Sequence, residues 1–158
     1  MKFGKILVPL DGSILAEAAL WQALEIADGG TISLLRAAEA DPVPAADSPA
    51  AQVAALREAQ EYLRGMIKRL ESNGMSRVEA NVWYGSPAAA IVGAARTEKV
   101  DLIVMATHGR GGLERLVLGS VTESVLQGTP VPILIVRPEG APADVLAGAR
   151  PAGGDFRV

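Results

Sequence analysis

The sequence predicts an α/β fold, a doubly wound five-stranded parallel sheet with helices on both faces. Five short apolar runs of strand length alternate with segments whose apolar residues recur at helical spacing, and this alternation is typical of parallel sheets with right-handed crossovers. Turn residues such as Asp11-Gly12 and Asn73-Gly74 separate the segments. Apolar residues make up 49% of the 158-residue chain but aromatic residues only 4%, so aliphatic side chains must fill the space between sheet and helices. Ligands of such sheets bind at the carboxyl ends of the strands, near the point where the winding direction reverses.

The first half of the chain begins with an apolar run at residues 5–10, which predicts a buried strand. Ser13 is the expected N-cap of a helix that Asp28-Gly29-Gly30 ends, and residues 31–37 predict the second strand. Residues 38–48 contain two prolines and three acidic residues without any period, which predicts a loop. The apolar face of the first helix is predicted to comprise Ala16, Leu20, Ala23, Leu24 and Ala27.

The second half of the chain repeats this pattern of helix and strand. Ser48 and Pro49 predict the N-cap and first turn of a long helix, and Ser86-Pro87 predict the same for a helix that ends near Thr97. Further strands are predicted at residues 78–83, 101–106 and 133–136, with a helix at residues 120–127. The apolar stripe of the long helix is predicted to comprise Val53, Leu56, Leu63, Ile67 and Leu70.

Composition and charge exclude several classes of function. A net charge of −3 does not favour binding to nucleic acid or to an anionic membrane surface. The absence of Cys excludes disulfides, thiol catalysis and zinc fingers. The chain starts with a strand rather than a signal peptide, and no run approaches the ~20 apolar residues of a membrane span, which predicts a soluble cytoplasmic protein. Residues 1–138 are predicted to form one domain, and residues 139–158 a tail rich in Gly, Ala and Pro.

The glycine-rich segment between the fourth strand and the last helix is the main candidate for a binding site. A strand, a glycine loop and a helix N-terminus in this order present unpaired backbone N–H groups and the positive end of a helix dipole to an anion. A Walker loop would require a Lys before the Ser of Gly119-Ser120, and there is none. A dinucleotide fingerprint beginning at Gly109 and Gly111 would require a glycine where Glu114 stands. The interpretation that remains is a split anion site, with Gly109 at one end and Gly119-Ser120 at the other.

These residues resemble the motif of the universal stress protein family, in its ATP-binding branch. The family motif is G-x-x-G, nine residues and G-[ST]; this chain has Ala106-Thr107-His108-Gly109, nine residues and Gly119-Ser120, so Ala106 replaces the first glycine. The segments ILVPLDGS, ATHGRGGLERLVLGSVTESVL and PVPILIVRP match as well, and the resemblance covers residues 1–138. It implies a Rossmann-type fold like that of the adenine nucleotide alpha hydrolases, and a homodimer that forms through the last strand, Ile133–Val136.

The resemblance also implies which residues contact ATP. Gly109 and Gly119 would let the backbone approach phosphate oxygens, and the first turn of the last helix would offer hydroxyl and N–H groups. Asp11 is placed to bind the ribose hydroxyls or a Mg²⁺ ion that bridges the phosphates. Leu10, Ala37 and Met105 would form an apolar slot for the adenine. The implied contacts are Pro9, Leu10, Asp11, Ala37, Met105, Ala106, His108, Gly109, Arg110, Gly119, Ser120, Val121 and Thr122.

Simpler interpretations stay open for some of these residues. Ser120 and Glu123 have the spacing of a capping box, which needs no ligand, and Asp11 is also placed to cap the first helix. His108 is the only histidine and has no candidate nucleophile or base near it, so it is expected to shape the loop or to face a phosphate. Trp21 and Trp83 are expected to pack in the core rather than to stack on a base.

Three functions follow from these observations. The first is an ATP-binding regulatory protein, in which the nucleotide biases conformation or dimerisation in a stress response. The second is a nucleotide-free dimeric scaffold that works through the apolar edge of its last strand. The third is a nucleotidyl transferase of the wider fold. Such enzymes usually carry a glycine-serine or paired-histidine signature after the first strand, and Pro9-Leu10-Asp11-Gly12 has neither. Because no nucleophile–base pair is evident, at most slow ATP hydrolysis with Mg²⁺ is expected.

Overall fold

A computed structural model of the chain describes residues 2–39, 48–107 and 118–137. The predicted C-terminal tail and most of the loop predicted at residues 38–48 lie outside the described residues. Strands and helices alternate along the described chain, as the sequence predicts. These elements are β1 (Lys5–Pro9), α1 (Ile14–Ile26), β2 (Thr31–Ala38), α2 (Pro49–Ser72), β3 (Val78–Tyr84), α3 (Pro87–Thr97), β4 (Leu102–Ala106), α4 (Ser120–Gly128) and β5 (Ile133–Val136).

The five strands form one parallel sheet in the order β3-β2-β1-β4-β5. The chain winds outward from β1 to β3, then returns to the other side of β1 and continues to β5. The winding therefore reverses between β1 and β4. These two strands share a short ladder that pairs Ile6 with Leu102 and Leu7 with Ile103, whereas β2 and β3 pair from Ile32 to the end of β2. The predicted doubly wound parallel sheet is confirmed.

The core lies in two layers, because successive side chains of a strand point to opposite faces of the sheet. On one face, fully buried side chains such as Leu34 and Val104 pack beneath α1 and α2. On the other face, Leu7 and Ile103 pack beneath α3 and α4. Burying these aliphatic side chains contributes roughly 1.5–3 kcal/mol each to stability. This packing fixes the positions of the helix ends that surround the carboxyl edge of the sheet.

Both tryptophans pack against these layers, as the sequence predicts. Trp21 packs against the α1–α2 layer and Trp83 against the α3–α4 layer. Gly93 of α3 makes room for Trp83, because a Cβ at this glycine would lie 2.7 Å from the indole ring. Both indoles therefore contribute to the packing between the sheet and the helices.

Two of the predicted helix caps are confirmed by their hydrogen bonds. The Oγ atoms of Ser13 and Ser48 each accept a hydrogen bond from the backbone N–H three residues further on, at 3.2 Å. Ser86 is the N-cap of α3, but its side chain makes no capping hydrogen bond. Helix α4 begins at Ser120, as the sequence predicts, with Gly119 as its N-cap. The capping box that was left open as an alternative for Ser120 and Glu123 is therefore not formed. From the first helical position the Ser120 hydroxyl does not serve as the N-cap acceptor.

The apolar stripe predicted for α2 is wrong at its first member. Val53 is 47% exposed, because the buried face of α2 begins only at Ala59 and continues through Leu63, Met66 and Leu70. The first turns of α2 therefore contribute little to the core.

Candidate functional site

A cleft of about 290 Å³ opens at the carboxyl ends of β1 and β4, where the winding of the sheet reverses. Its walls come from the ends of β1, β2 and β4 and from the first turns of α1, α3 and α4. The described residues that line it are Pro9, Leu10, Asp11, Ser13, Leu15, Ala16, Leu35, Ala37, Pro87, Ile91, Met105, Ala106, Thr107, Gly119, Ser120, Val121 and Thr122. This is the place in a doubly wound sheet where ligands bind.

The cleft gathers every predicted contact residue that the structure describes. These ten residues are Pro9, Leu10, Asp11, Ala37, Met105, Ala106, Gly119, Ser120, Val121 and Thr122. The other three, His108, Gly109 and Arg110, lie outside the described residues. Residues from both halves of the sheet therefore come together in one site, although what they bind is a separate question.

Three helix N-termini reach the cleft, and that of α4 is the one suited to an anion. At α1, the Ser13 side chain already accepts the N–H of Ala16. Helix α3 begins with Pro87, which has no N–H to offer. At α4, Gly119 has no side chain with which to cap the helix, and the helix itself provides no acceptor for the N–H groups of residues 120–122. These groups and the helix dipole favour a negatively charged ligand.

The backbone at the start of α4 leaves space in front of these N–H groups. Gly119 has φ −65° and ψ 155°, and no described atom lies within 4 Å of the position that a Cβ would take. The Thr107 and Thr122 side chains lie at the base of this region and are only 3% and 4% exposed. The N–H of Thr107 donates to the carbonyl of Val136 at 3.0 Å. The base of the cleft is therefore hydrogen-bonded to the last residue of β5.

Asp11 supplies a negative charge at the mouth of the cleft. Its Oδ1 accepts a hydrogen bond from the N–H of Ser13 at 2.8 Å. Burial raises the pKa of the Asp11 carboxyl, but its hydrogen bonds with Ser13 and the positive charge of Arg36 outweigh this effect and hold the pKa below its usual value. The carboxyl is therefore ionised at neutral pH. Since Ser13 caps α1, the interpretation of Asp11 as the helix cap is wrong.

The remaining wall of the cleft is apolar. Leu35 and Ile91 are almost fully buried and extend the slot predicted from Leu10, Ala37 and Met105. An apolar slot beside a region that attracts anions suits a ligand with one flat apolar part and one charged part.

Seven lining residues were not predicted from the sequence. Some lie one or two positions from predicted residues in the sequence, so they could have been predicted as neighbours of those residues. Pro87 and Ile91 had no such signal, because α3 reaches the cleft only through the packing of the complete sheet. The seven are Ser13, Leu15, Ala16, Leu35, Pro87, Ile91 and Thr107.

The described part of the chain offers limited means of binding a metal. It brings together no group of three His, Cys, Asp or Glu side chains that could hold an ion. Asp11 is the one carboxylate among the described residues that line the cleft. Mg²⁺ is commonly bound by one or two carboxylates together with substrate phosphates and water, so a single Asp beside an anion site fits Mg²⁺ that arrives with a phosphate ligand. Within the same residues, no helix combines the length and the apolar character that crossing a membrane requires.

Comparison with known proteins identifies the family of this chain. The sequence model of the universal stress protein family matches residues 2–137. The chain belongs to the universal stress protein family. A universal stress protein of Methanocaldococcus jannaschii is 35% identical over 141 residues, which cover 85% of this chain and 82% of the relative.

Solved structures of universal stress proteins share the fold. UspA from Lactobacillus plantarum superposes with a TM-score of 0.69 at 27% identity, covering 87% of this chain and 99% of that one. A universal stress protein solved in complex with cAMP superposes with a TM-score of 0.58 at 27% identity, covering 86% of this chain and 98% of that one. The family and the fold expected from the sequence are confirmed. Membership of the ATP-binding branch stays a prediction.

Proposed function

We propose that this universal stress protein is an ATP-binding regulatory protein, whose bound nucleotide biases conformation or dimerisation in a stress response. The proposal rests on the cleft at the reversal point of the sheet, which is lined by the N-terminus of α4, capped by no described side chain, by the Asp11 carboxylate and by an apolar wall. A nucleotide has the matching groups: anionic phosphates, ribose hydroxyls and a flat base. The family member solved with cAMP supports an adenine nucleotide as the ligand class.

The proposed contacts follow from the chemistry of each wall. The phosphates bind the N–H groups and hydroxyls of residues 119–122, with His108, Gly109 and Arg110 as further contacts. The base lies against Leu10, Ala37 and Met105, beside Pro9 and Ala106. Asp11 binds the ribose or a Mg²⁺ ion, which would neutralise phosphate charge when bound. Hydrolysis slower than that of a dedicated ATPase, and location in the cytoplasm, stay predictions from the sequence.

Dimerisation through β5 is part of the proposal. Strand β5 is at one edge of the sheet, and Leu134 on it and Leu126 on the adjacent helix α4 are 37% and 46% exposed. A second copy that paired its own β5 here would cover this apolar edge and complete its hydrogen bonds. The same observation favours the alternative function, a dimeric scaffold that works without nucleotide.

Release of bound nucleotide tests the first function against the second. The purified protein is denatured, and the supernatant is assayed for adenine nucleotides. Protein stripped of nucleotide is titrated with ATP, AMP and cAMP in a calorimeter, with and without Mg²⁺. We expect either released nucleotide or binding of added ATP. If neither is seen under any of these conditions, nucleotide binding is wrong and the scaffold remains.

Replacing one exposed apolar residue tests the dimer. Leu134→Glu places a charge on the β5 edge, and Val53→Glu is the matched control because Val53 is comparably exposed on α2. Light scattering after size-exclusion chromatography should show a monomer for Leu134→Glu and a dimer for the wild type and for Val53→Glu. A Leu134→Glu protein that remains a dimer would move the interface away from β5.

A further inference from the structure

We infer that Arg36 is a positioning residue that holds the turn of residues 11–13 in place at the mouth of the cleft. Arg36 lies near the end of β2 on the α1–α2 face of the sheet, whereas its neighbours Leu35 and Ala37 line the cleft on the opposite face. Arg36 therefore acts on the cleft through the turn that follows β1, and not by contact with a ligand.

The guanidinium of Arg36 lies directly against Gly12. A Cβ built on Gly12 would stand 3.0 Å from Nη1 and 3.6 Å from Nη2 of Arg36. Gly12 also has φ +84°, which side chains other than glycine rarely adopt. Gly12 is flanked by Asp11 and by Ser13, which are joined by their own hydrogen bond of 2.8 Å. The planar guanidinium therefore forms the surface against which this turn rests.

Contacts with residues of α1 and α2 also hold the guanidinium. It lies over the ring of Tyr62, 5.1 Å from the centroid. The Tyr62 hydroxyl donates to Glu17 at 3.2 Å, and Arg69 binds the second oxygen of the same carboxylate at 3.2 Å. Because Glu17 is buried in α1, these contacts fix Arg36 between α1 and α2.

The hydrogen bonding of Arg36 argues that the residue does not serve stability. Its Nη1 is buried and has no hydrogen-bond partner among the described residues. The carboxylate nearest to its other nitrogen belongs to Glu58, which is 80% exposed and 3.9 Å away, so this pair contributes little. The Arg36 side chain is 18% exposed, and a largely buried cation with so few partners among the described residues is costly. An apolar replacement of similar length is often neutral or stabilising. What Arg36 supplies is a flat, charged surface under the turn that carries the Asp11 carboxylate, which it attracts.

The test separates positioning from stability. Arg36→Met keeps the length of the side chain, Arg36→Lys keeps the charge without the planar fork, and Arg64→Met on the exposed face of α2 is the matched control. Amide exchange in the ligand-free protein is measured by NMR at Gly12 and Ser13. We expect exchange at least tenfold faster for both Arg36 variants, unchanged exchange for Arg64→Met, and no loss of global stability for Arg36→Met in urea unfolding.

Two results would overturn the inference. In the first, Ser13 exchanges as slowly in Arg36→Met as in Arg64→Met. In the second, Ser13 in Arg36→Lys is protected as fully as in the wild type. If Arg36→Met does not fold, Arg36→Lys alone decides, and Ser13 exchange in it equal to that in Arg64→Met overturns the inference.

A second readout rests on the proposed function. Calorimetry with ATP and Mg²⁺ should show about tenfold weaker binding for Arg36→Met and unchanged binding for Arg64→Met. A wild-type protein that binds no ATP would contradict the proposed function alone, because the exchange measurement needs no ligand and still decides the role of Arg36.

Discussion

Replacing Gly119 by Asp should change stability and ligand binding in opposite directions. Gly119 has φ −65° and open space around its missing Cβ, so an Asp fits without backbone strain. In the ligand-free protein the new carboxylate would accept hydrogen bonds from the first turn of α4. An Asp N-cap is more stable than a Gly N-cap by a few tenths of a kcal/mol, and a negative charge at this end of a helix adds about 0.3–1 kcal/mol. The free energy of unfolding should therefore rise slightly.

The same carboxylate should oppose a bound phosphate. Two unit charges about 4 Å apart interact with about 4 kcal/mol at an effective dielectric constant of 20. Each 1.4 kcal/mol is about a factor of ten in affinity, so ATP binding should weaken on the order of a thousandfold, and by less in high salt. The control is Gly119→Asn, which has the same shape and caps the helix without a charge.

The assay pairs calorimetry of ATP binding with urea unfolding of the ligand-free proteins. We expect Gly119→Asn to unfold at or slightly above the urea concentration of the wild type, and Gly119→Asp slightly above Gly119→Asn because of its charge. Only Gly119→Asp should lose ATP binding. If the Asp and Asn variants bind ATP with equal affinity, the phosphates do not lie at the start of α4, and the proposed orientation of the nucleotide is wrong.

Three further predictions concern packing and charge. Gly65→Ala, on the exposed face of α2 with open space around the new methyl group, should raise the free energy of unfolding by about 1 kcal/mol in urea titrations. Gly93→Ala, whose Cβ would stand 2.7 Å from the Trp83 ring, should lower it by about 1–3 kcal/mol in the same assay. Burial and the charge of Glu17 raise the pKa of Tyr62 above its ordinary value of 10. The contribution of Tyr62 to stability is therefore complete below pH ~10 and is lost as the pH rises through the folded-state pKa. Urea unfolding of the wild type and of Tyr62→Phe should show the difference in unfolding free energy shrinking over that alkaline range.

The sequence predicts the fold and much of the cleft because both depend on local patterns. Apolar runs of strand length that alternate with helical spacing are enough to order the elements, and the Gly119-Ser120 segment with its flanking residues marks the anion site. The sequence left open whether Ser120 caps α4, because the choice between Gly119 and Ser120 as N-cap depends on one pair of backbone angles. Val53 was wrong because helical spacing cannot show where a long helix leaves the sheet.

Other features depend on contacts that no local pattern encodes. Ile91 enters the cleft because α3 packs against the same face of the sheet as α4. Arg36 reads as an ordinary polar residue within an apolar strand, and its contact with Gly12 follows only from the parallel pairing of β1 with β2. The Glu17–Tyr62–Arg69 group likewise joins residues of two helices that are far apart in the chain.

The short ladder between β1 and β4 makes the position of the cleft relevant to the stability of the sheet. This border joins the half of the sheet built from β1, β2 and β3 to the half built from β4 and β5, and the cleft opens over it. A ligand that contacts Asp11 on one side and the start of α4 on the other would link the two halves of the sheet across this border. At a hundred times its dissociation constant, any ligand that binds only the folded state adds about 2.7 kcal/mol to stability. The occupied protein should therefore unfold at a higher temperature and a higher urea concentration than the ligand-free protein.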